Sequence, residues 1–395
     1  MVRYGLLVFT LLWSLFSAVA VGSEPPIKIG LLAPLTGAWE TDGQTVANAV
    51  QLAVDEINAS GGVLGRTIAF LVEDSESDLA AGLDAAHRLI DEPIVAALAT
   101  YGTAVTDPVA KALDGAGILS IAWGASAVYL TEDFGLKRFF RTNARDDVQG
   151  VYFVNFVAQQ LEASRIALLH DGSAYAKGLA EAARLAASRV PQLQVVHVEE
   201  IQPGPRATVD PWDDASLAPL REALERVKAA EPEALFYAGY SPEAAQLARL
   251  AKETGLEARF IGGDASINED FLDRVAPEIS EGLIIIQQVL PKDLAHAEAI
   301  PFLEAYRDRY GSLPRTPWAF HAADALRVIV KAIEATGSTD SDMLASHLRT
   351  MEPIAGITGP ISFDQAGDRA NGYELFRAYV VRGGELVLYS GDSGK

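Results

Sequence analysis

Six residues suited to bonding a small charged molecule fall just beyond predicted strands: Thr103, Gly124, Ser126, Tyr175, Tyr240 and Asp264. Hydroxyls and free backbone N–H groups at helix starts hold an anion such as a carboxylate. An ionised aspartate opposite them holds an ammonium through charge-assisted hydrogen bonds, and tyrosine rings line the space between. One cleft built this way reads both ends of a zwitterion. Trp39 and Asp42, in the loop after the first predicted strand, and Trp123, beside Gly124, complete the candidate set. Each residue also has a plainer role. Thr103 and Ser126 can be helix caps, Tyr175 and Tyr240 half-buried edge aromatics, Asp42 and Asp264 solvated loop carboxylates, and Trp39 and Trp123 plugs between lobes.

Catalytic patterns are poor. The six histidines show no metal-ligand spacing, and no Gly-x-Ser-x-Gly elbow occurs. Residues 391–395 (GDSGK) resemble a protease signature and half a P-loop, yet they end the chain with no helix after them. The absence of cysteine rules out disulfides, thiolate nucleophiles and cysteine-based metal sites. A formal net charge of −21 excludes nucleic acid, whose phosphates need clustered Lys and Arg. The expectation is a protein that is not an enzyme and carries neither metal nor cofactor.

The N-terminus speaks to compartment. Arg3 precedes an apolar run at residues 6–16, followed by Ala18-Val19-Ala20, a small-x-small pattern suited to signal-peptide cleavage near Ala20. The run is short of the roughly 20 residues that span a bilayer; an uncleaved anchor is the alternative. Without cysteine there is no lipoprotein site. The expected product is exported to the periplasm and soluble.

Two periods alternate along the rest of the chain. Residues 27–32 (IKIGLL) read as a buried strand, and residues 43–59 carry apolar residues at helical spacing. Strands at 67–73, 94–99 and 118–122 alternate with helices at 79–90 and 107–116. A turn-rich passage, 123–147, separates this from a second series. That series has strands at 165–170, 195–199, 234–238 and 259–262, with helices at 150–160, 178–188, 217–230 and 242–254. A Pro-rich insert interrupts it at 202–214. Such alternation specifies α/β architecture with parallel sheets covered on both faces, here as two doubly wound, Rossmann-like lobes. Ligands of open α/β sheets sit beyond the carboxyl ends of the strands, in the loops that carry the nine candidates.

Several segments together resemble the leucine/isoleucine/valine-binding protein family, the type I periplasmic solute-binding proteins of ABC importers. They include IKIGLLAPLTG from Ile27, AVDEINASGGVLGR from Ala53, AGILSIAWGAS from Ala116, LLHDGSAYAKGLA from Leu168, FYAGYSPE from Phe236, GLEARFIGGD ending at Asp264 and ITGPISFDQAGDRA from Ile357. The resemblance implies two discontinuous lobes joined by about three crossings, residues 24–141 with 288–358 and residues 142–287 with 359–395. It implies that Thr103, Gly124 and Ser126 meet a ligand carboxylate, the latter two its amine as well. Asp264 would pair with the ammonium, and Tyr175 and Tyr240 would line the cleft. It further implies hinge closure over an amino-acid-like ligand and delivery to a membrane ABC permease by a monomer. A regulatory sensor of the same fold, or a binder of an aromatic, amine-free carboxylate, are the alternatives. Three departures from the family pattern involve four positions. Asp42 replaces an aromatic near the ligand side chain, Trp123 replaces a proline, and Glu76 and Gly102 stand where relatives have a small disulfide loop. A carboxylate facing an aliphatic pocket is costly to desolvate, so either the ligand side chain is polar or Asp42 turns to solvent.

Overall fold

The computed structural model describes residues 24–202 and 212–391. The expected signal peptide, most of the Pro-rich insert and residues 392–395 lie outside the described residues. The first series of strands is β1 Ile27–Ala33, β2 Ile68–Asp74, β3 Ala96–Ala99, β4 Leu119–Ala122 and β5 Phe139–Arg141. They form a parallel sheet in the order β2-β1-β3-β4-β5. The second series is β6 Arg165–His170, β7 Gln194–Glu200, β8 Ala234–Ala238, β9 Arg259–Gly262 and β10 Ile284–Gln288. A small antiparallel pair follows, β11 Ile354–Gly356 with β12 Gly359–Ile361. β13 Phe376–Arg382 and β14 Glu385–Leu388 then return to the second sheet, which runs β14-β13-β10-β9-β8-β6-β7. β13 joins β10 antiparallel, so this sheet is mixed.

The central strands are fully buried apolar runs, as a sheet covered on both faces requires; Leu31, Leu98 and Ile121 in one sheet and Leu168, Phe236 and Ile286 in the other exclude solvent completely. Helices start where their caps dictate. Ser173 accepts the N–H of Ala176, and Asp78 those of Ala80 and Ala81. Helix Thr103–Gly115 begins four residues before the expected start at 107. Proline favours the first helical turn, which draws a sequence reading toward Pro108, but the helix runs through it. Within the turn-rich passage lie a short helix, Tyr129–Glu132, and β5, whose three residues are too few to show a period.

The chain passes between the two sheets at three places. The first follows β5 through Thr142–Arg145, and the second leaves β10. The chain reaches the second sheet again at β13, after the turn Gly372–Leu375. Up to Asp368 the chain stays on the first lobe, where Phe363 packs on Phe140 and the Arg141 N–H donates to the Gly367 carbonyl. The crossings are laced together. Thr142 donates its hydroxyl to His321 O (2.8 Å), and Arg369 donates to Thr142 O (3.1 Å). His321 is buried against this backbone, and burial pushes its pKa down to about 3, so it stays neutral.

Candidate functional site

The carboxyl ends of both sheets meet at one cleft. From the first lobe come Tyr101, Thr103, Gly124 and Ser126; from the second, Tyr175, Tyr240 and Asp264; Trp318 follows the second crossing. These residues enclose a nearly filled space of about 10 Å³. Tyr101, Asp264 and Trp318 also border an adjoining cavity of about 380 Å³, which Asp42 lines together with Asn268, Leu272, Gln287 and Thr316.

Thr103 opens its helix and is 1 % exposed, yet its hydroxyl has no hydrogen-bond partner among the described residues. Gly124 lets Tyr101 pass closely: a Cβ there would stand 2.6 Å from a tyrosine ring carbon. Asp264 follows β9 and is held by its own lobe. Tyr175 donates its hydroxyl to one carboxylate oxygen (2.9 Å), the Gln288 amide approaches the other (3.4 Å), and the Gln287 amide donates to the Asp264 carbonyl (2.7 Å). Burial still outweighs these bonds and raises the Asp264 pKa to about 6.

Sequence reasoning passed over Asp146, Tyr101 and Trp318. Asp146 begins helix Asp146–Gln159 just after the first crossing, is fully buried, and its N–H donates to the Ser126 carbonyl (3.0 Å). Neither carboxylate oxygen has a hydrogen bond of good geometry among the described residues. Burial lifts its pKa to about 8; the nearby Ser126 hydroxyl eases its ionised form, and the Asp264 charge opposes it. Tyr101 stood in a flagged loop, and its aromatic character was the available signal. Trp318 has no local signal, because only the second crossing brings it to the cleft.

The remaining candidates divide. Asp42 is only 6 % exposed, so the solvent-facing alternative is corrected: the first turn of helix Glu40–Ala59 carries it into the larger cavity. Trp39 packs between Tyr101 and Tyr240 at ring distances of 5.4 and 5.0 Å. Trp123 is fully buried and stacks on Tyr101 at 5.9 Å, one ring back from either volume. Among the described residues there is no group of three or more His, Asp or Glu placed to hold a metal, and no helix is long and apolar enough to cross a membrane.

Two lobes, a cleft between their strand ends and a carboxylate facing hydroxyls describe a capture device, and known proteins share the arrangement. The chain is 29% identical over 373 residues to the Leu/Ile/Val-binding protein BraC3 of Rhizobium johnstonii, covering 94% of this chain and 95% of that one. The leucine-binding protein LivK of Thermotoga maritima superposes with a TM-score of 0.80 at 23% identity, covering 92% of this chain and 98% of the other. LivJ of Streptococcus pneumoniae, solved in complex with isoleucine, has a TM-score of 0.77 and 26% identity, covering 91% and 97%. These relatives are solute-binding proteins rather than enzymes. The sequence model described as periplasmic binding protein matches residues 26–385, and the chain belongs to that family.

Proposed function

We propose that this protein captures an amino acid between its lobes outside the cytoplasmic membrane and, as a monomer, delivers it to an ABC permease. The observation that carries the reading is the opposition of Asp264 on one lobe to the unpartnered Thr103 hydroxyl on the other, across one enclosed space. The carboxylate of an amino acid would take the Thr103 and Ser126 hydroxyls and the backbone beside Gly124. Its ammonium would take Asp264, with Asp146 behind. Tyr175 and Tyr240, from the second lobe, supply contacts made only on closure, so ligand favours the closed form. The isoleucine complex of the pneumococcal relative supports an amino acid as the ligand class.

A thermal-shift screen of refolded, ligand-stripped protein against amino acids and amine-free aromatic acids tests this. A ligand at 100 times its Kd adds about 2.7 kcal/mol of stability, a shift of several degrees. At least one amino acid should shift the wild type and fail to shift Asp264→Ala. A response confined to amine-free acids would overturn the role of Asp264.

A further inference from the structure

The two volumes of the cleft differ greatly in size. Thr103 lines the small one and Leu313 the large one, and Tyr101, Asp264 and Trp318 border both. A ligand whose carboxylate meets Thr103 and whose ammonium meets Asp264 fills the small volume with its head group. Its side chain then passes Tyr101 and Trp318 into the larger chamber. That chamber has about 380 Å³ of room. Liquid water takes about 30 Å³ per molecule, so the space equals on the order of a dozen waters. A leucine side chain, with four carbon atoms, leaves most of it unfilled.

Both lobes wall the chamber. Leu313 precedes helix Trp318–Thr336, which packs on helix Glu40–Ala59 of the first lobe. Leu272 sits on helix Glu269–Arg274, which packs on helix Ser241–Glu253 of the second. Ile267 and Leu290 add further hydrocarbon. The charges in these walls are engaged by the protein itself. Arg315 meets Asp273 at 2.5 Å, the Lys292 ammonium donates to the Leu386 carbonyl, and Asp42 likewise interacts within the chain. The walls therefore need no counter-charge from a ligand, and selection falls to size and apolar contact. Each methylene buried there gains about fourfold in affinity.

Resting on the amino-acid reading above, we propose that the ligand is an amino acid whose uncharged side chain is longer than that of leucine and fills the chamber beyond Tyr101 and Trp318. Isothermal titration of the refolded, ligand-stripped protein with L-norvaline, L-norleucine and L-2-aminooctanoate, whose side chains have three, four and six carbons, tests the length. Affinity should rise about fourfold per added carbon, roughly fiftyfold from the first to the last. L-lysine should bind more weakly than L-norleucine; tighter binding would overturn the uncharged side chain. If affinity peaks at L-norleucine or below, the proposal fails and the amino-acid reading survives. If no amino acid binds, both readings fall. Leu313 borders the chamber but not the head-group space, so Leu313→Trp should flatten the series beyond L-norleucine and leave L-norvaline binding as before. A folded variant that keeps the full rise would place the side chain elsewhere and overturn the proposal. The wild-type series decides even where the variant does not fold.

Discussion

Gln288 links Asp264 to the hinge. Its side-chain nitrogen lies 3.4 Å from the Asp264 carboxylate, and its side-chain oxygen accepts the Ala144 N–H at 3.3 Å on the first crossing. Gln288 is itself the last residue of β10, where the second crossing departs, and its N–H donates to the Gln287 side chain at 2.8 Å. One amide thus ties the acid of the cleft to two of the three strands of the hinge. Closure and ligand contact share this bond, a physical basis for coupling them.

Gln288→Leu keeps the volume and removes both bonds. It leaves the buried Ala144 N–H without its side-chain acceptor, and an unsatisfied buried group costs about 1–3 kcal/mol. The variant should therefore melt lower without ligand; with Asp264 no longer tied to the crossing it should also bind its amino acid more weakly, and small-angle scattering with saturating ligand should show a larger share of open molecules. Unchanged affinity and unchanged scattering would show that the bond does not couple cleft to hinge.

The cleft acids make binding depend on pH. Asp264 titrates at about 6 in the empty cleft, while Asp146, held up to about 8, keeps its proton below neutrality. An ammonium needs Asp264 ionised, so affinity should fall about tenfold per pH unit below 6 and level off above it. The stability of the empty protein runs the other way. A carboxyl with a raised folded-state pKa contributes stability that is fully present below its unfolded value, near 3.9, and is lost as pH rises through the folded value. Asp264→Asn should therefore stabilise the empty protein at pH 7, by an amount on the order of 3 kcal/mol, and give no gain at pH 3.5. Titration calorimetry and thermal melts across pH 4–8 check both limbs.

Thr103 separates a ligand group from a structural one. Its hydroxyl is buried without a partner in the empty protein, so Thr103→Val removes no internal hydrogen bond. Melting temperature without ligand should stay level or rise slightly. Amino-acid affinity should nonetheless fall about 10- to 100-fold, the loss expected when a charged carboxylate forfeits one donor. A variant that loses stability but keeps affinity would make Thr103 an ordinary helix-start residue.

Much of this arrangement is legible in the sequence because parallel strands buried on both faces are continuous apolar runs, and the loops beyond them hold the polar groups. Six candidates in those loops meet at one space. What is not legible depends on contacts between distant segments. Asp146 reads as one acid in a turn-rich, acidic passage until folding brings Ser126 and Asp264 beside it. Trp39 gives no hint that it packs on Gly102. Gly102 has φ +81°, and a Cβ there would lie 2.8 Å from the Trp39 ring. The indole occupies the room a side chain would need.

The last prediction concerns the buried ions behind the cleft. Arg141 ends β5 with no exposure, and its Nε lies 2.6 Å from an Asp368 oxygen; Arg145 reaches the other oxygen at 2.7 Å. The Arg141 contact is off the hydrogen-bonding angle, so charge rather than alignment holds it. Burial pushes the Arg141 pKa down, and Asp368 opposes that. Asp368→Asn removes the shared counter-ion and leaves the buried guanidinium without its contacting carboxylate, a loss of roughly 3–5 kcal/mol where one partner of a buried pair is deleted. Replacing Arg141 with Met in the same chain removes the stranded charge, and much of the loss should return. Denaturant melts of the two singles and the double give the coupling directly. If Asp368→Asn alone costs under about 1 kcal/mol, the range of an exposed pair, then the Ala125 and Ala127 carbonyls and the Thr131 hydroxyl suffice to hold Arg141.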